Sequence, residues 1–222
     1  MVMIYRHQLK ARIDKGSSDA FSQILIEEKE QIAVSLRGAG INLFKLFRFD
    51  HLLFVYAESI DPLLTLELPA KVTSALIDSP GDFGDRKFVP MLDIFHDAIP
   101  RVESVWREPG APITSLASIV YLRPEKYCSY VFYHFQLQEE GLRKFNKRYI
   151  IGALENCLFS YQELPAVIDT TNHDRVLHSN VSPENWVELM GEHFQPWPEG
   201  LDIEKPWKSM EEIFSYVAAS EI

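Results

Sequence analysis

Pro112-Ile-Thr-Ser-Leu-Ala-Ser-Ile-Val-Tyr-Leu122 returns near the end of the chain as Pro206-Trp-Lys-Ser-Met-Glu-Glu-Ile-Phe-Ser-Tyr-Val217. Proline, serine, Leu or Met, then Ile followed by Val or Phe stand at the same spacing in both. A second echo links Tyr5-Arg-His-Gln-Leu9 to Tyr133-His-Phe-Gln-Leu137. The chain therefore reads as two copies of one unit, each opening and closing on a similar strand, with residues 1–124 as the first repeat and 125–222 as the second.

The 222 residues are 46% hydrophobic and 12% aromatic, enough to bury a core in one large or two small domains. The net charge of −10 is spread along the chain. A dispersed acidic surface argues for solubility and against a nucleic-acid partner, which would need a basic face. No apolar run approaches the roughly 18 residues of a membrane span, so no membrane partner and a cytoplasmic location are expected. Cys128 and Cys157 lack metal-site spacing and read as buried free thiols on strands.

In the first copy, residues 3–10 read as a strand. Gly16-Ser-Ser-Asp19 starts a helix whose stripe runs through Phe21, Leu25, Ile32 and Leu36, interrupted by Glu28. Residues 41–49 and 52–58 form a hairpin around Asp50-His51. Helical pieces are expected within 61–77 and over 87–97, and residues 119–122 close the copy. In the second copy, 127–137 is the opening strand and 139–155 a helix. A hairpin of 157–169 and 175–180 follows. A second helix starts at Ser182-Pro-Glu-Asn, and 213–217 closes the copy.

A strand-helix-strand-strand-helix-strand order is the ferredoxin-like plan. The expected fold class is α+β: two tandem ferredoxin-like (βαββαβ) repeats whose antiparallel sheets pack as a dimeric α+β barrel within one chain. Inside that superfamily the chain resembles the L-rhamnose mutarotase family. The resemblance rests on the two closing segments, on Phe95-His-Asp-Ala-Ile-Pro100, and on the hairpin from Gly40 to Ser59. It implies a cofactor-free sugar mutarotase (an isomerase) or a carbohydrate-binding relative with altered or lost activity. The family's first-helix Tyr and His positions fall at Phe145 and Tyr149 in the second copy, and near Phe21 and Leu25 in the first.

Mutarotation needs one group to take the anomeric proton and another to protonate the ring oxygen. His7 and His134, on opening strands offset by one residue, are candidates with Tyr149. Tyr5 and Trp186 are candidate substrate contacts. His96 and His193 read as helix C-terminal residues, and His51 and His173 as exposed hairpin tips. Lys45, Arg48, Tyr56 and Glu58 read as strand-edge polar groups, suited to a polar ligand if interior. Trp106, Trp197 and Trp207 read as connector packing. No metal is expected. A small molecule, such as a monosaccharide, is the expected partner, with self-association open. The rival readings are a non-catalytic module for a small apolar or aromatic ligand or for assembly, and a cofactor-free oxygenase.

Overall fold

The computed structural model describes residues 3–82, 84–100, 106–108, 113–140, 145–168, 177, 183–200 and 205–218. Its contacts divide the chain into two units that interleave in sequence. Unit 1 is Met1–Met91, Pro100–Pro112 and Glu211–Ile222; unit 2 is Leu92–Ile99 and Ile113–Met210.

Unit 1 runs β1 (Tyr5–Arg12), α1 (Ser18–Glu27), α2 (Lys29–Gly38), β2 (Ile41–Phe49), β3 (Leu52–Ser59), α3 (Ala70–Ser74) and β4 (Val89–Pro90). Alternation puts Leu9, Ala11, Leu53 and Val55 on one face of the sheet, where Phe21, Leu25, Ile32 and Leu36 of α1 and α2 pack against them. Full burial of each Leu, Val, Ile or Phe among them stabilises by about 1.5–3 kcal/mol. The expected helix breaks at Glu28, the polar gap in its stripe. Gly40, at φ +67°, turns the chain from α2 into β2, and a Cβ there would come within 3.0 Å of the Ile60 side chain.

Unit 2 runs β5 (Leu92–His96), β6 (Thr114–Tyr121), α4 (Tyr127–Glu140), β7 (Ile150–Leu154), β8 (Cys157–Leu164), α5 (Trp186–Gly191) and β9 (Lys208–Ser209); β10 (Glu211–Val217) follows and belongs to unit 1. The fold class is α+β, as expected. The two five-stranded antiparallel sheets have orders β10-β2-β3-β1-β4 and β5-β7-β8-β6-β9. Four strands of each follow the ferredoxin-like order, and the fifth is exchanged: β10 pairs with β2, and β5 with β7. The last strand of each copy is thus split at a methionine. One piece pairs beside its own first strand, with Met91 N–H donating to Gln8 O at 2.9 Å and Met210 N–H to Ala117 O at 3.0 Å.

Several expectations change. Residues 114–121 open unit 2 instead of closing the first copy, so contacts do not divide the chain between 124 and 125. Residues 127–137 lie in helix α4, not a strand, because Tyr130, His134 and Leu137 recur at helical spacing and bury one face. Residues 150–154 are strand β7 instead of helix, and β7 and β8 form the hairpin expected farther along. Residues 89–90 and 92–96 are strands instead of helix. Cys157 is buried, whereas Cys128 is exposed on α4. The turn expected at Thr170–Asp174, including His173, lies outside the described residues. The Asp50-His51 hairpin is present, with Asp50 in the left-handed region that aspartate tolerates.

Candidate functional site

Helices α4 and α5, with β5 and β7 of the sheet, line a half-open cavity of about 210 Å³ within unit 2. Phe95, Tyr130, Phe145, Tyr149, Trp186 and Trp207 wall it, and His134 faces it. The His134 ring stacks on Tyr130 at 4.0 Å and meets Trp186 edge-on at 5.1 Å. Its Nδ1 lies 2.9 Å from the Tyr130 carbonyl oxygen. A carbonyl accepts only, so Nδ1 carries the proton and Nε2 is the basic nitrogen. Burial lowers the His134 pKa to about 4, against the smaller raising effect of the Tyr130 carbonyl, and His193 lowers it further. At neutral pH the ring is an uncharged base in an apolar setting.

Tyr149 lies just before β7, where burial pushes its phenol up to about 12 while the nearby Ser160 hydroxyl works the other way. It also lines an adjoining polar recess of about 330 Å³ with Ser118, Asn146, Ser160 and Gln162. Phe145, Tyr149 and Trp207 are common to both spaces. Trp186 opens α5, and its position there places the indole on the cavity wall.

Each unit also holds a buried carboxylate, Glu58 on β3 and Glu163 on β8. In unit 1 Glu58 accepts from the Tyr56 hydroxyl at 2.8 Å, Trp106 Nε1 at 2.9 Å, and both terminal nitrogens of Arg107 at 2.9 and 3.0 Å. Burial pushes its carboxyl up, but Arg107, Trp106 and Tyr56 outweigh it and hold the pKa below the ordinary value. The Arg6 guanidinium lies over the Trp106 ring, 5.4 Å from its centroid. In unit 2 Glu163 accepts from the Tyr161 hydroxyl at 3.0 Å and pairs with Arg148 at 3.3 Å. These saturated clusters tie connecting segments to the sheets. They explain why Glu58 is interior instead of at a solvated edge.

The predicted residues divide. His134, Tyr149 and Trp186 come together around one cavity, although His134 sits on a helix and Tyr149 at a strand start, the reverse of expectation. Tyr5 is exposed at the start of β1, and His7 bonds Ser59 Oγ at 2.8 Å, its pKa lowered by burial with Asp61 opposing; both lie in unit 1, and neither lines these spaces. His96 pairs with Asp93 on β5. His193 follows α5 as expected, but burial lowers its pKa, with the Leu189 carbonyl opposing. Trp207 is a cavity wall as well as connector packing.

Ser118, Gln162 and the Glu163 cluster escaped sequence reading. A signal was present: Tyr56-Ala-Glu58 recurs as Tyr161-Gln-Glu163, at matching register positions of β3 and β8. Among the described residues no group of three or more His, Cys, Asp or Glu is placed to hold a metal ion. No helix among them is long and apolar enough to cross a membrane.

No family profile matches the chain, and no curated protein does. Among solved structures it is similar to a protein of Fusobacterium nucleatum named as a candidate monooxygenase, at 10% identity over 98% of this chain and 95% of that one, TM-score 0.41. It is also similar to an anthrone oxidase-like protein, at 11% identity over 99% and 98%, TM-score 0.36. Similarity at this level carries no argument about function, and the rhamnose mutarotase resemblance finds no support in these comparisons.

Proposed function

We propose that unit 2 is a cofactor-free catalyst acting on a small aromatic compound held between α4 and its sheet. The observation that carries this is His134: a buried, neutral imidazole whose Nδ1–H is committed to Tyr130, within an aromatic-walled cavity. Such walls favour a flat apolar body. A monosaccharide fits less well, because each of its hydroxyls needs a partner in place of water.

In this reading Nε2 takes a proton from an activated C–H of the ligand. Burial disfavours the imidazolium, but the carbanion formed beside it offsets that cost by pairing with it. The carbanion can then be oxidised by dioxygen. A methylene and one molecule of dioxygen give a ketone carbonyl and one molecule of water. The carbon gives up four electrons, one oxygen atom stays on it, and the other leaves as water with both methylene hydrogens, so no reducing cofactor is required.

The test uses 2-tetralone, whose C1 protons are acidic and benzylic. Deuterium exchange at C1 is followed by NMR in deuterated buffer, with oxygen uptake measured in parallel. Exchange faster than buffer, lost in His134→Gln with its thermal melt intact, supports the base assignment. Oxygen uptake coupled to it supports the oxygenase reading, and exchange without uptake limits the protein to proton transfer. No acceleration at protein equimolar with ligand overturns the base assignment. A mutarotation assay on hexoses is the control, and no acceleration is expected.

A further inference from the structure

Strand registers align the two units residue by residue. Leu9 faces Val55 in unit 1 as Ser118 faces Ser160 in unit 2, and Gln8 faces Tyr56 as Ala117 faces Tyr161. Extending the match, Ala57 corresponds to Gln162 and Phe44 to Tyr149. In unit 1 the four positions are Leu9, Phe44, Val55 and Ala57, all in the buried hydrophobic core. In unit 2 they are Ser118, Tyr149, Ser160 and Gln162, all lining the polar recess. One fold thus carries an apolar quartet in one copy and a polar quartet in the other, on the helix-facing side of the sheet, where Tyr149 and Ser160 bond each other while the half-buried Ser118 and Gln162 are left for solvent or a ligand to bond.

The Ser118 and Gln162 side chains have no hydrogen-bond partner among the described residues. Asn146 is already committed: its Nδ2 donates to Glu163 O, and its Oδ1 accepts from Arg148 N–H and Val167 N–H. The open donors and acceptors are therefore the Ser118 hydroxyl and the Gln162 amide. They lie in a recess that shares Phe145, Tyr149 and Trp207 with the His134 cavity.

We infer that this recess is the specificity subsite for an oxygen substituent on the far end of the ligand, with Gln162 and Ser118 as its recognising groups. The inference rests on the aromatic-ligand reading of the same site and narrows it. The substrate class is an oxygenated aromatic of one or two fused rings, its reactive carbon toward His134 and a hydroxyl or carbonyl in the recess. A hydroxyl can donate to the Gln162 carbonyl oxygen, and a ligand carbonyl can accept from the amide nitrogen. A hydrocarbon would leave both unpaired.

The experiment compares 2-tetralone with 6-hydroxy-2-tetralone on the full chain, by calorimetry and quenching of tryptophan fluorescence. The expected result is about tenfold tighter binding of the hydroxylated ring, the effect of one well-made hydrogen bond. Gln162→Leu is expected to narrow that ratio below twofold, and Ser118→Ala to narrow it in part. A ratio near one in the native protein overturns the inference while leaving the aromatic-ligand reading standing. So does a ratio that survives both substitutions. Binding of neither probe overturns the reading of the site itself, and the subsite with it.

Discussion

His134 lies one helical turn beyond Tyr130 and donates its Nδ1 proton to the Tyr130 carbonyl at 2.9 Å, with the two rings stacked at 4.0 Å. Backbone and side chain of one tyrosine thereby fix both the tautomer and the plane of the imidazole.

The depressed His134 pKa is also a statement about stability. In the unfolded chain the imidazole titrates near 6.5, and in the folded chain near 4. Between these values the unfolded state binds more protons, so stability rises with pH. The contribution is fully present above 6.5 and lost as pH falls toward 4. The groups around the ring, Tyr130, Tyr149 and His193, gain no negative charge in that window. Urea midpoints from pH 7 to 4.5 should fall more steeply in the native protein than in His134→Leu, which removes the titrating group. Parallel slopes would refute the assignment.

Glu58→Gln should destabilise unit 1. It removes a buried charge that meets Arg107 through two hydrogen bonds, and breaking such a pair costs about 3–5 kcal/mol. Because the folded pKa is depressed, the charge-dependent part is present above the ordinary carboxylate range and lost as pH falls through the folded value. The variant's deficit should therefore shrink in acid. A deficit unchanged between pH 7 and 3.5 would mean packing alone is lost.

Removing residues 211–222 tests the strand exchange. Lys45 would lose Glu212 at 3.0 Å, Arg48 would lose Glu211 at 2.7 Å, and β2 would become a bare edge. Hydrogen exchange should accelerate along β2 more than along β7. Faster exchange confined to β7 would instead place the terminal strand in unit 2.

The thiols should differ in reactivity. Cys128 is exposed on α4 and Cys157 is 1% exposed on β8. An aromatic disulfide reagent should titrate one thiol per native chain and two in guanidinium. Rapid reaction of both in the native protein would contradict this packing.

Much of unit 1 was legible because local and tertiary demands agree there. The 41–59 hairpin alternates around a turn residue that tolerates positive φ, and the stripe from Phe21 to Leu36 follows helical spacing except at Glu28, where the helix breaks. Residues 127–137 were not legible. Their aromatics and Val131 favour a strand locally, and apolar residues surround the helix so completely that neither period stands out. Packing of Tyr130, His134 and Leu137 on one face decides for helix.

The α+β class and the chemical interest of His134, Tyr149 and Trp186 were readable from residue type and local periodicity, but the two echoes that suggested a duplication do not mark equivalent elements: 114–121 is β6, which opens unit 2, against β9 and β10 at 208–217, and 5–9 lies in strand β1 against 133–137 in helix α4. Only the tertiary structure decided where each copy begins, which sheet receives its last strand, and which candidates share a cavity. Strand exchange and cavity formation depend on pairings far apart in the chain. The alternation of β10 reads the same whether it joins β6 or β2; beside β2 it is completed by the ion pairs of Lys45 with Glu212 and of Arg48 with Glu211.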